Sequence, residues 1–256
     1  MTERSWRGRY EGVLQILRFN RPMYVTGLLV LGAGAVGVVA LPLPNIIRTA
    51  ALAGIALAAF WLFASVAVSH YVYDLSGLHW GHWLNHALGH PPRHAVNLHA
   101  GLDEFSALLR TRFPEMELRV LDFFDARRMT EPSIARAREL ARNQLPAERV
   151  DFRSLPLRDA EVDTAFLIFA AHELRDSESR SALLRELNRS LTSDGQLILV
   201  EHLRDLLNFL AFGPGFLHFH SRATWQRDAT SAGFSTTKEF RLTPFVRVFR
   251  LAKAGQ

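Results

Sequence analysis

Apolar and polar positions are spread unevenly along the chain. Two uncharged apolar runs, residues 23–43 and 49–73, come first. Each is long enough to cross roughly 30 Å of hydrocarbon at about 1.5 Å per residue. Pro42, Pro44 and Asn45 lie between them and predict a tight turn. A secretory signal and a buried core hairpin are the competing readings of these runs. From about His94 the pattern changes to short apolar stretches alternating with amphipathic ones. It predicts strands at residues 95–98, 118–121, 150–152, 164–169 and 196–200, and closing strands at 238–241 and 245–251. Helices are predicted at 104–112, with Asp103 as N-cap, at 133–143 behind Pro132, at 178–191, and at 224–232 before Gly233. Alternation of this kind predicts an α/β fold, a doubly wound Rossmann-like sheet with helices on both faces, preceded by a two-helix transmembrane hairpin. The expected organisation is a basic segment over 1–22, the hairpin over 23–73, an interfacial His/Trp-rich helix over 74–93 and the α/β domain over 94–256.

Charge adds an orientation. No carboxylate lies between Glu11 and Asp74, whereas Arg4, Arg7, Arg9, Arg18 and Arg21 precede the first run and only Arg48 lies in the turn. The excess of arginine before the first span predicts a cytoplasmic N-terminus, and two crossings return the chain to the same side. The expectation is an inner-membrane protein with two spans and a cytoplasmic catalytic domain, in contact with the lipid bilayer. Trp6, Tyr10, Tyr24, Trp61, Tyr71, Tyr73, Trp80 and Trp83 include rings near the expected interfaces. The chain has no cysteine, which excludes disulfides, thiolate metal sites and thiol nucleophiles. Arginines are scattered among acids, so no nucleic-acid partner is expected.

Gly32-Ala33-Gly34-Ala35-Val36-Gly37 matches a dinucleotide-binding fingerprint in letters alone. That motif also needs a following amphipathic helix and an acid about 20 residues on. Pro42 and Pro44 interrupt, and no acid appears before Asp74. Small residues that let helices approach closely in a bilayer are the simpler account.

Later signals fall in a specific order. A strand ends in a turn containing Gly101, and the next ends at Asp122. Ser154-Leu155-Pro156-Leu157 and Val162-Asp163 precede the fourth strand. Leu183-Leu184-Arg185-Glu186-Leu187-Asn188-Arg189-Ser190-Leu191 then runs into Asp194-Gly195 and the fifth. Over residues 94–252 this resembles the class I S-adenosylmethionine (SAM)-dependent methyltransferases, in the ubiquinone- and menaquinone-type branch. The resemblance implies a seven-stranded sheet, SAM as cofactor, and Asp122 as the acid that binds the ribose hydroxyls. It further implies cofactor contacts from Asn97, His99, Gly101, Asp103, Phe123, Phe152 and Arg153. The sequence departs from the family in the glycine-rich loop. Asn97-Leu98-His99-Ala100-Gly101-Leu102-Asp103 keeps one glycine, with Asn97 in place of the family's acid. Asp103 either holds the cofactor's ammonium group or caps a helix.

Ligands of doubly wound folds sit at the C-terminal ends of the strands. His172-Glu173 follows the fourth strand and Glu201-His202 ends the fifth. With those strands as neighbours, the two pairs are expected to converge as the catalytic group. The histidines can act as general base, as ligands of a divalent metal together with His218 and His220, or as structural hydrogen-bonding groups. His79, His82, His86 and His90 fall within about 60° of one face of an ideal helix, which suits a polar interfacial face and, less simply, a metal or haem. Residues 208–219 are apolar, broken by Gly213-Pro214-Gly215, and suit either core or a membrane-facing lid. The expected function is methyl transfer from SAM to a lipophilic acceptor: a quinone, a pigment precursor or a lipid. The alternatives are a degenerate methyltransferase fold acting as scaffold in a membrane enzyme, and metal-assisted chemistry of another kind using SAM. The sequence leaves the oligomeric state open.

Overall fold

The computed structural model describes residues 8–141 and 147–255. Arg4, Trp6, Arg7 and the expected end of the 133–143 helix lie outside the described residues. A short amphipathic helix, α1 (Glu11–Phe19), leads into two long apolar ones, α2 (Arg21–Ala40) and α3 (Asn45–His70). Both are long and apolar enough to cross a membrane, and little of either is buried. Val39, Ile46 and Phe63 are 85%, 80% and 78% exposed.

The domain behind them is a seven-stranded sheet. Its strands are β1 (His94–His99), β2 (Glu117–Asp122), β3 (Glu148–Arg149), β4 (Val162–Ile168), β5 (Leu191–His202), β6 (Phe234–Thr243) and β7 (Val246–Lys253). The order is β3-β2-β1-β4-β5-β7-β6, parallel except for β7, which runs antiparallel to both β5 and β6. The order reverses at β1 and β4, so the ligand crevice of such a sheet lies where these two strands end. The third strand is shorter than expected and precedes the predicted residues 150–152. The segment 150–154 turns instead, closed by a bridge between Asp151 and Ser154.

Successive strand residues face opposite sides. Val96, Leu98, Ala165, Leu167, Leu197 and Leu199 face α7 (Ser177–Ser190) and α9 (Arg222–Ser231), and Ile134 of α6 (Pro132–Leu140) joins the same core. Ala95, Phe166, Ile198, Val200 and Val248 face the other way. They are covered by α5 (Ser106–Arg112) and by Val72, Leu78, Trp83, Leu84 and Ala87.

That second cover corrects the reading of residues 74–93 as one interfacial helix. The segment is a short π-helical turn (Tyr71–Leu75), a 3₁₀ turn (Leu78–Trp80) and α4 (His82–Ala87), separated by Gly77 and Gly81 in the left-handed region. A sheet buried on both faces needs an apolar cover, and Trp83, Leu84 and Ala87 supply it. The four histidines consequently share no face. His79 is buried and stacks on Phe105, His86 packs edge-on to Phe240, and His90 lies near the Asp194 carbonyl.

The hairpin is joined to the domain by specific contacts. Asp74, just past α3, accepts hydrogen bonds from the backbone N–H groups of Gly12 (2.7 Å) and Val13 (3.0 Å) and so caps α1, while also contacting His70 Nδ1 at 2.8 Å. Helix α8 (Leu206–Phe212) packs on α3 through Phe209 and Trp61, whose rings are 5.4 Å apart. Gly213 follows with φ of 54°, and a Cβ there would lie 2.7 Å from Trp61. Only glycine fits both the backbone and the approach.

Candidate active site

Two clusters border the crevice. On the β1–β2 side, Asp122 ends β2 and is buried. Arg138, from α6, clasps its carboxylate with two hydrogen bonds of 3.0 and 2.8 Å. The same guanidinium donates to the Ala100 carbonyl at 2.9 Å and lies 4.1 Å over the Phe124 ring. Two residues nearer the helix start, Arg136 donates to the Phe19 carbonyl at the end of α1. Ile134 and Ala137 of α6 would each lie 3.5 Å from a Cβ at Gly101. Helix α6 therefore rests on the β1 loop with its arginine in the carboxylate.

Most of the remaining residues expected on this side are also engaged. Asn97 Nδ2 donates to Asp103 Oδ1 (3.3 Å) and to Ser106 Oγ (2.9 Å). Asp103 Oδ1 accepts from the Phe105 and Ser106 backbone N–H groups at 3.2 and 3.0 Å, so its carboxylate serves the entry to α5. Phe123 and Phe152 are core side chains. Arg153 lies exposed over the Phe152 ring and bonds Asp151. Both ring nitrogens of His99 are buried without a hydrogen-bond partner among the described residues.

The β4–β5 side is organised around Glu201, which is fully buried. Its carboxylate accepts from His172 Nδ1 at 2.7 Å and from the His172 backbone N–H at 3.2 Å. His172 Nε2 lies 3.6 Å from Glu173, and its ring meets His218 edge-on at 5.2 Å. His218 Nδ1 in turn contacts Glu131 at 3.1 Å. Burial opposes charge on His172, but the Glu201 carboxylate more than offsets it by attraction and hydrogen bonding, with Glu173 adding to it. The pKa rises to about 9. An imidazole already protonated at neutral pH donates a hydrogen bond more readily than it takes a proton. Glu131 is held below the usual carboxylate range, chiefly by its hydrogen bond with His218.

His202 does not join this cluster, which corrects the expectation that the two pairs converge. Adjacent strand residues point to opposite faces, so Glu201 and His202 cannot share one. His202 is sandwiched between Phe169 (5.2 Å) and Phe219 (4.9 Å), with Nδ1 on the Phe245 carbonyl (2.9 Å) and Nε2 on the Tyr73 hydroxyl (3.0 Å). Burial pushes its pKa down to about 4. His220 is excluded as a ligand for a similar reason: its Nε2 accepts from Arg180 Nη1 at 3.0 Å. Burial and the neighbouring arginines push it down to about 3. Arg180 also pairs with buried Asp228 (2.7 Å) and donates to the Leu174 and Arg175 carbonyls, which fixes the loop after β4. Phe169, the residue after β4, has φ of 50°, a costly backbone for a bulky side chain, at the crevice.

Residues 125–199 match a family described as "Methyltransferase domain". The fold is that of the class I methyltransferases. Human N-acetylserotonin methyltransferase, solved in complex with SAM, aligns at 14% identity and a TM-score of 0.57 over 97% of this chain and 72% of its own. The mitomycin 7-O-methyltransferase MmcR aligns at 15% and 0.56 over 97% and 74%. A protein of Pyrococcus horikoshii OT3 aligns at 17% and 0.52 over 71% and 91%. A search of curated proteins finds no match. The family match begins after Asp122 and so leaves out the β1 loop and the ribose acid.

On the β1–β2 side the expected acid is present at the strand end, but its carboxylate is engaged by this chain's own arginine. The carboxylate that would take the ribose hydroxyls is filled by Arg138, and α6 lies against the one glycine of the loop. Sequence reasoning missed Arg138, Glu131, Arg180 and Tyr73. Arg138 had a weak signal: it lies four residues after Ile134 on the helix that follows Asp122, a spacing that puts both on one side.

Proposed function

We propose that the chain is a membrane-anchored methyltransferase that uses SAM and acts on a lipophilic acceptor at the cytoplasmic side of the bilayer. The observation that carries this reading is the direct seating of α8 on the apolar helix α3, beside the crevice of a methyltransferase fold. Leu206, Leu210 and Leu217 are exposed along the same segment, which gives a lipid-soluble molecule an apolar route from the bilayer towards Phe216, Phe219 and His218. An acceptor that partitions into the membrane meets an anchored enzyme at high local concentration. Methyl donor and acceptor need alignment above all, and the crevice between β1 and β4 is the place for it. On this reading α6 and Arg138 must move before the cofactor is held.

The occupied Asp122 carboxylate favours a second reading, a methyltransferase fold kept as a binding subunit without the cofactor. Membranes containing the full chain, supplied with SAM labelled in its methyl group, distinguish the two. The first reading expects label in the organic extract. Absence of label in lipids from wild type and from Arg138→Ala alike favours the second. Reporter fusions near Asn45 and at the C-terminus test the orientation, and a C-terminus outside the cytoplasm would overturn it.

A further inference from the structure

We propose that His172, Glu173 and His218 form a binding site for one divalent transition-metal ion, with Glu201 and Glu131 holding the two imidazoles from behind. The three residues come from two separate 3₁₀ turns, Ala171–Glu173 after β4 and Gly213–His218 after α8. Each offers one ligand atom, and these atoms lie within 4.8 Å of one another. A small inward shift of the side chains brings such a set to coordination distance, about 2.0–2.2 Å for nitrogen and carboxylate ligands.

The backing carboxylates distinguish this cluster from a chance meeting of polar side chains. His172 commits Nδ1 to Glu201 at 2.7 Å, and His218 commits Nδ1 to Glu131 at 3.1 Å. On each ring Nε2 remains as the ligand atom; on His172 it lies 3.6 Å from Glu173, and an ion binding there displaces the proton that the ring carries at neutral pH. Metal-binding histidines are held in this way, with the second ring nitrogen donating to a carboxylate that fixes the tautomer and raises basicity. His202 and His220 lack this arrangement, since His202 has both ring nitrogens engaged and His220 Nε2 accepts a hydrogen bond from Arg180.

Charge points the same way. Glu131, Glu173 and Glu201 are opposed locally by Arg175, which leaves two negative charges in excess when both imidazoles are neutral. The ligand side chains are 14%, 16% and 29% exposed, low enough to strengthen the attraction and high enough for an ion to enter. Two nitrogens and one carboxylate suit Zn²⁺, Fe²⁺ or Mn²⁺ over Mg²⁺ or Ca²⁺, and three protein ligands leave positions open. An open position would take a hydroxyl oxygen of the acceptor, which narrows the acceptor class to phenols, enols and alcohols. That last step rests on the methyl-transfer reading. The ion site does not.

The test is calorimetry with bound-metal analysis on the full chain in detergent, stripped of metal and titrated with Zn²⁺, Mn²⁺ or Mg²⁺. We expect one Zn²⁺ per chain and no competition from Mg²⁺. His218→Ala should weaken uptake by about 100-fold, and Glu131→Gln by about 10- to 100-fold, the usual range for a backing carboxylate. Both residues are partly exposed, so the variants are expected to fold, and thermal unfolding checks that they do. His82→Ala/His86→Ala removes exposed surface histidines and should leave the uptake unchanged. No stoichiometric uptake, uptake insensitive to His218→Ala, or uptake lost with His82 and His86 would each overturn the site. None of these readouts depends on methyl transfer.

Discussion

The two halves of the crevice contrast in how their charged groups are used. On the β1–β2 side one carboxylate meets one guanidinium, and the pair engages the acid expected to take the ribose hydroxyls. On the β4–β5 side three carboxylates surround two imidazoles, with ring nitrogens still available. Apart from His99, whose ring nitrogens have no partner among the described residues, the first half is engaged by its own chain, whereas the second gathers three potential ligand atoms within 4.8 Å of one another. Similarity to a methyltransferase family covers residues 125–199, which hold Glu131, Arg138, His172 and Glu173 but leave out Asp122 and the β1 loop on one side and Glu201 and His218 on the other.

If the β4–β5 half is a tightly coupled unit, breaking it should be costly. Glu201→Ala removes the buried partner of His172 and should destabilise the domain by about 3–5 kcal/mol, the usual cost of leaving a buried charge unpaired. Chemical denaturation measures this. A loss below about 1 kcal/mol would mean that the pair is not coupled as described.

His202 gives the next largest effect, and it depends on pH. Its folded pKa is about 4, below the unfolded value of 6.5. Above pH 6.5 both states are neutral and its contribution is complete. As pH falls, the unfolded chain takes the proton first, so stability is lost between about 6.5 and 4. The loss reaches on the order of 3 kcal/mol at the lower end. The part of the pH slope that belongs to His202 should vanish in His202→Asn, and an unchanged slope would exclude burial of a neutral ring.

The fold was legible in the sequence because short apolar stretches alternating with amphipathic ones, and glycine stops, mark the strands and helices of the α/β domain. The hairpin was legible from two uncharged runs. The position of His172 just after the fourth strand was legible in the same way. The opposition of Glu201 and His202 was also legible, since neighbours on one strand cannot share a face, but expecting the pairs to converge overlooked the pleat. What no local pattern carries is Arg138 reaching back to Asp122, Glu131 meeting His218, or Tyr73 meeting His202. These are contacts between segments far apart in the chain, set by packing. The 74–93 segment was misread because a Trp/His-rich stretch beside a long apolar helix has the same composition whether it faces lipid headgroups or a sheet.

Smaller effects test how the hairpin holds the domain. Gly213→Ala forces a Cβ within 2.7 Å of Trp61 and should cost about 1–3 kcal/mol through overpacking and backbone strain. Proteolysis of the α8 region in detergent should rise with it, and no change would separate α8 from α3. Asp74→Ala removes the cap on α1 and should cost about 0.5–2 kcal/mol. Its signature is faster hydrogen exchange at Gly12 and Val13, and unchanged exchange there would remove the cap.

The central claim is that Arg138 stands in the carboxylate a cofactor would use. Calorimetric titration of S-adenosylhomocysteine into the full chain and into Arg138→Ala tests it directly. The account predicts weak binding to wild type and at least about tenfold tighter binding to the variant, a gain of roughly 1.4 kcal/mol, lost again in Arg138→Ala/Asp122→Ala. Equal affinity in wild type and Arg138→Ala would contradict it.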